Sequence, residues 1–128
     1  MKILEISTSK REEFIDVTEL VKKEVKEAED CKALLLFVPH TSCALFINEG
    51  YDPNVCKDIS KTLNKITENI EYEHSEGNSD AHSKTVLVGN SLIIPIENKE
   101  LVLGTWQRIF LAEFDGPRKR KIIIQSLK

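Results

Sequence analysis

The chain has 128 residues, 41% of them hydrophobic and 30% charged, which suffices for one packed domain and argues against wholesale disorder. Its formal net charge of −3 excludes a general nucleic-acid binder, which carries a basic face or a high isoelectric point. No run approaches the ~18 apolar residues of a membrane span, so no membrane partner is expected.

Residues 2–7 (KILEIS) and 13–17 (EFIDV) alternate apolar and polar positions around a charged turn, which predicts an N-terminal hairpin. Glu5 interrupts the first run, which is also too short for a signal-peptide core. Thr18 reads as an N-cap, with Leu20, Val21, Val25 and Ala28 at helical spacing through to Asp30. The apolar run 33–38 (ALLLFV), stopped by Pro39, predicts a buried strand, and 43–48 (CALFIN) another.

Asp52-Pro53 supplies an N-cap and a first-turn proline for a helix with Val55, Ile59, Leu63 and Ile66 on one face. The segment 73–82 (EHSEGNSDAH) is the least hydrophobic in the chain and reads as a polar loop. Residues 91–96 (SLIIPI) and 101–103 (LVL) predict a hairpin around Glu97–Glu100. Residues 106–114 and 121–127 predict two further strands around the turn 115–118 (DGPR). The expected architecture is a single α+β domain over 1–128, an antiparallel β-sandwich of about eight strands with two or three flanking helices.

Cys31, Cys43 and Cys56 are an odd set without C-x-x-C spacing, so neither a disulfide framework nor a zinc knuckle is expected, and a reduced, cytoplasmic protein is. Charge is uneven: residues 115–128 hold five basic groups and one acidic, net +4, against −7 for the rest.

Chemistry-bearing residues concentrate in three places. His40 directly follows the strand 33–38, while His74 and His82 bracket a stretch that also offers Glu73, Glu76, Asn78 and Asp80. Three histidines match an open tetrahedral metal site with carboxylates orienting them. The spacing H-x7-H is not a standard zinc signature, however, and a solvated loop accounts for the same residues. Period 2 along 105–114 places Gln107 and Glu113 on one side with Ile109 and Leu111 between them. Glu113 in so apolar a run is a candidate for site work; the alternative is a carboxylate facing solvent on an edge strand. In the basic run 118–121, Arg118 stands beside the turn and is best placed for bidentate contact with phosphate. Four successive strand residues cannot all face one ligand, so most of this run reads as solvated. Ser42 and Ser75 lack the G-x-S-x-G setting of a serine hydrolase.

The strings HTSCALFINE, HSEGNSDAH, IPIE and LVLGTWQRIFLAEFDGPRKRKI together resemble the YjbQ family, also catalogued as UPF0047, over nearly the whole chain. That resemblance implies a β-rich sandwich, a homotrimer, a divalent metal near His40, His74 and His82, and the activity of a secondary thiamine-phosphate synthase. Such an enzyme joins hydroxymethylpyrimidine diphosphate to thiazole phosphate and releases pyrophosphate, so the expected partner is a small phosphorylated substrate. The motif positions carried over with it give Glu49, Asp80, Gln107 and Glu113 as catalytic candidates. Thr41, Asn48, Asn78 and Arg118 are candidates for substrate and phosphate binding. Lys84, with Arg118, is a further candidate for stabilising the leaving diphosphate.

Three histidines suit Zn²⁺ or a similar ion, whereas pyrophosphate departure usually recruits Mg²⁺, which prefers oxygens such as those of Asp80, Glu76 and Glu49. Two alternatives stand beside the synthase. One is a metal-dependent hydrolase with Glu49 or Asp80 as base. The other is a non-catalytic trimer that binds a metal or small anion.

Overall fold

Alternating inward and outward side chains build two antiparallel sheets, and the computed structural model describes all 128 residues. In chain order the elements are β1 (Lys2–Ser7), β2 (Glu13–Asp16), α1 (Thr18–Glu27), β3 (Ala33–Phe37), β4 (Cys43–Glu49), α2 (Pro53–Thr67), α3 (Ser79–Val88), β5 (Ser91–Glu97), β6 (Glu100–Leu101), β7 (Gln107–Glu113) and β8 (Lys119–Leu127). One sheet has the order β1-β8-β3-β5-β6 and the other β2-β7-β4. The α+β class, eight strands and antiparallel sandwich match the sequence expectation, with three helices.

The core lies between the sheets. Leu34 and Leu36 of β3, Ile122 and Ile124 of β8 and Ile94 of β5 meet Cys43, Leu45, Ile109 and Leu111 from the opposite sheet. Val17, Val21 and Val25 seal one side of this core. The other face of the three-stranded sheet is covered by helices: Ala44, Ala112 and Phe114 pack with Ala81 of α3, against Leu63 of α2 and Val88. β7 thus feeds one core with Ile109 and Leu111 and the other with Ala112, and Phe114 just past its end continues the second set, as period 2 requires.

Several local expectations hold. Asp52 accepts from the Asn54 amide at 2.9 Å with Pro53 opening α2. The β5–β6 hairpin turns through Asn98 and Lys99, both at positive φ (52° and 60°). The basic run divides as strand geometry demands: Arg120 is buried, while Lys119 and Lys121 face out.

Other expectations are corrected. β1 and β2 are not a hairpin, because β1 pairs with β8 and β2 with β7, so the two strands enter different sheets. Pairing with the long strands β7 and β8 gives each N-terminal run a ladder along its whole length inside a multi-stranded sheet, which an isolated two-stranded hairpin does not. Thr18 does not cap α1. The cap position is Val17, and the Thr18 hydroxyl instead accepts the buried Ile109 amide at 2.8 Å. Ile66 is exposed, since the covered stripe of α2 passes through Leu63 and Thr67. Most importantly, the polar segment ends in a helix. α3 begins at Ser79, and its inward face is Ala81, Lys84 and Thr85. With a lysine at an inward position, no apolar stripe announces the helix.

Candidate functional site

Pro39 ends β3 because it has no N–H for the ladder. Beyond it the His40 ring takes over the pairing: the Lys121 amide on β8 donates to His40 Nε2 at 2.9 Å. The next carbonyl, that of Thr41, lies 2.9 Å from His82 Nδ1 on α3. A carbonyl only accepts, so His82 carries a proton on Nδ1, and in the neutral tautomer this selects, Nε2 is the lone-pair nitrogen. The His74 ring stands edge-on to His82, with centroids 5.5 Å apart. His40, Thr41 and His82, with Thr85, Val86, Gly89 and Asn90, line an open cleft of about 330 Å³.

A second group borders this end of the sandwich. Asn78, at the start of α3, donates to Asp115 at 3.0 Å, and Arg118 donates to the same carboxylate at 3.1 Å and to the Asp115 carbonyl at 2.9 Å. The Arg118 side chain is still 51% exposed, so its guanidinium is available to an anion. Asn78 Oδ1 is the one buried side-chain polar atom without a partner. Gly116 lets this turn lie against the β1–β2 connection. A Cβ there would collide with the Lys10 carbonyl and stand 2.8 Å from Thr8 Oγ1.

Beneath the turn sits a closed ionic network. Glu113 is fully buried and Arg120 is 2% exposed. Arg120 Nε lies 2.9 and 3.0 Å from the two Glu113 oxygens, and its terminal nitrogen reaches Ser42 Oγ at 2.8 Å and the Ser42 carbonyl at 3.1 Å. Thr8 donates to Glu113 at 2.7 Å and accepts from the Arg118 amide at 2.9 Å. The pair therefore ties the His40–Ser42 segment to the 115–118 turn. Burial pushes the His40 pKa down, the Arg120 charge pushes it further, and Glu113 opposes them in part, leaving the ring neutral.

Not all the sequence candidates meet here. In the β4–β7 register Cys43 faces Glu113 and Glu49 faces Gln107, so the ends of these strands are about 20 Å apart at strand rise. Asn48, Glu49 and Gln107 occupy the far end and serve local turns. Glu49 accepts the Tyr51 and Asp52 amides, Asn48 accepts the Glu49 amide, and Gln107 accepts the Gly104 amide. Glu113 is on the central strand of its sheet, not an edge, and its oxygens are occupied, so it positions the site and does not touch a ligand in the cleft. Lys84 is 1% exposed and points beneath α3, where it donates to Glu12 at 2.5 Å and Asn64 at 2.6 Å. A phosphate in the cleft cannot reach it. Asp80 faces Arg11 at 3.2 Å and Lys84 at 3.6 Å. Burial acts to raise its pKa, yet the Arg11 hydrogen bond and charge hold it below the ordinary carboxylate value.

The three-histidine metal site does not fit this chain. No group of three or more His, Cys, Asp or Glu stands in metal-holding proximity. The Nε2 lone pair of His40 is also already committed to a backbone amide. Sequence reading missed Thr8, Ser42 and Arg120. The available signal was Arg120 itself, an inward-register arginine whose charge demanded a partner such as Glu113.

A two-sheet sandwich with helices on one face and a histidine-lined cleft at one end defines a class of small α+β proteins. The chain belongs to the UPF0047, YjbQ-like family, whose model matches residues 2–128. It is 40% identical to a UPF0047 protein of Archaeoglobus fulgidus over 97% of this chain and 98% of that one. It is 41% identical to the UPF0047 protein YugU of Bacillus subtilis, covering 99% and 98%. A crystal structure of a YjbQ/UPF0047 family protein from Clostridium acetobutylicum superposes with a TM-score of 0.95 at 44% identity, covering 99% of this chain and all of that one. A conserved hypothetical protein of Thermus thermophilus superposes at 0.89 with 37% identity, over 99% and 100%. No helix of the chain is long and apolar enough to cross a membrane.

Proposed function

We propose that the chain is an enzyme of the secondary thiamine-phosphate synthase type, acting on small phosphorylated substrates at the His40–His82 cleft. What supports this reading is the convergence of a half-exposed Arg118 guanidinium with a neutral His40, the exposed Thr41 and the free Nε2 of His82 at one end of the sandwich. Arg118 would take charge from the departing pyrophosphate, and Asp115 and Asn78 hold it in place. The His74–His82 edge, and not His40, is the place we propose for a divalent cation. The hydrolase alternative loses Glu49 to the far end and finds Asp80 bound to Arg11. Incubation with hydroxymethylpyrimidine diphosphate, thiazole phosphate and Mg²⁺ should yield thiamine phosphate and pyrophosphate, with Arg118→Ala at least tenfold slower. Absence of product from the unaltered protein overturns the reading.

Self-assembly as a homotrimer is proposed through the outer face of the five-stranded sheet, which no helix covers. Register places Ile3, Ile123 and Phe37 in one row across β1, β8 and β3, with Leu35 and Ile93 adjacent. Ile3, Phe37 and Ile93 are exposed. Glu5 lies opposite Lys121 beside this row, so the face carries both charge signs and suits copies of itself. Sedimentation should give the mass of three chains, reduced to one in Phe37→Glu/Ile93→Lys; a monomeric unaltered chain refutes this assembly.

A further inference from the structure

Two histidines of the cleft hold their proton on the same nitrogen and yet leave opposite functions free. His82 donates Nδ1–H to the Thr41 carbonyl, so in its neutral tautomer the remaining nitrogen, Nε2, is an acceptor. His40 faces an amide N–H through Nε2, so Nε2 must accept and the proton of the neutral ring resides on Nδ1. That Nδ1–H is the less common tautomer of a free histidine side chain, and the fold selects it through the Lys121 amide. It makes no hydrogen bond within the chain, and the ring lines the cleft beside the exposed Thr41.

We infer that His40 is a hydrogen-bond donor to an oxyanion of the phosphate class, not a metal ligand, and that its Nδ1–H meets the ligand in the cleft. Ligation through Nε2 would strip the Lys121 amide of its only acceptor at the edge of the ladder. Ligation through Nδ1 would require an imidazolate. Donation requires neither change. The surroundings favour an anion, for Arg118, Arg120 and Lys121 all act on the ring electrostatically, and Glu113 alone opposes them. Arg120 and Glu113 neutralise each other and Arg118 shares its charge with Asp115, which leaves Lys121 as the unpaired cation acting on the ring beside the half-exposed Arg118 guanidinium. A neutral N–H flanked by fixed cations binds an oxyanion without itself needing to be charged.

This assignment rests on the phosphorylated-ligand reading above, but its test needs no turnover. In protein labelled with ¹⁵N at histidine, long-range ¹H–¹⁵N correlation should show His40 protonated at Nδ1 with Nε2 unprotonated. Titration with inorganic phosphate should move the His40 Nδ1–H signal. Phosphate affinity should fall at least tenfold in His40→Ala and stay within about threefold in His40→Asn, whose amide nitrogen occupies the position of Nδ1. Zinc added alone should leave both His40 nitrogens unmoved, and zinc uptake should be equal in His40→Ala and the unaltered protein. The inference is overturned if His40 is protonated at Nε2, if zinc shifts its nitrogens, or if phosphate leaves them unmoved. The tautomer and titration are read on the unaltered protein, so a misfolded variant does not shelter the claim. A protein that passes them and still makes no thiamine phosphate loses only the proposed activity.

Discussion

Replacement of Arg120 by methionine is expected to lower the stability of the folded chain by about 3–5 kcal/mol. The change leaves the Glu113 carboxylate, which has no solvent exposure, without its cation in the interior. Thr8 and the Asp115 amide still reach Glu113, but they are two donors facing a full charge. The loss is a large fraction of the roughly 5–15 kcal/mol that holds a domain of this size. In urea the unfolding midpoint should fall by about 2 M, taking a slope of about 2 kcal/mol per molar. The double variant Glu113→Gln/Arg120→Met should cost less than the sum of its single changes, because the stranded charge is then gone. A double-variant loss equal to the sum of the two single losses would mean that the pair is not coupled. Arg120→Met should also disorder the His40–Ser42 segment, since Ser42 loses both contacts from the guanidinium.

Lys84→Met is expected to cost about 1.5–3 kcal/mol, the range for lost hydrogen bonds of a charged donor. The smaller figure has a physical source: Glu12 retains a quarter of its side-chain exposure and can be rehydrated when the ammonium is removed. Methionine keeps the packing of the chain near the Phe114 ring, which the Lys84 ammonium approaches at 5.8 Å from the centroid. Chemical denaturation measures the loss. The same variant should bind inorganic phosphate as the unaltered chain does, because Lys84 points under α3 and away from the cleft. A KM or phosphate affinity weakened tenfold in a folded Lys84→Met protein would restore Lys84 to the binding site.

The correct and the misplaced expectations divide by the kind of information that sets them. Strand alternation along 105–114 assigned Ile109 and Leu111 to one face and Ala112 and Phe114 to the other, and both faces proved buried. The cap at Asp52 and the hairpin at Asn98-Lys99 are local geometry carried by a few adjacent residues. By contrast, β1 and β2 each look like half of a hairpin, and only competition from β8 and β7 separates them. α3 was hidden for a related reason. Its inward lysine is satisfied by Glu12 and Asn64, which come from two other parts of the chain.

For the site, motif membership grouped residues that the register places at opposite ends of β4 and β7. Gln107 and Glu49 share the family pattern with His40 and Glu113 yet sit about 20 Å away along the strands. Histidine content was visible, but which nitrogen each ring leaves free was not. That choice belongs to the Lys121 amide and the Thr41 carbonyl, the first of them 81 residues from its ring and the second 41.

By itself the sequence determined the α+β class, the strand faces, the family and the identity of the charged and imidazole groups, because periodicity and local turn chemistry act over neighbouring residues. Only the tertiary structure decided that Glu113 and Lys84 are buried partners of Arg120, Glu12 and Asn64, that His40 completes a sheet ladder, and that His82 presents a lone pair to the same cleft. These depend on contacts distant in sequence, and a charged side chain is driven toward solvent or toward a partner according to where the whole fold leaves it.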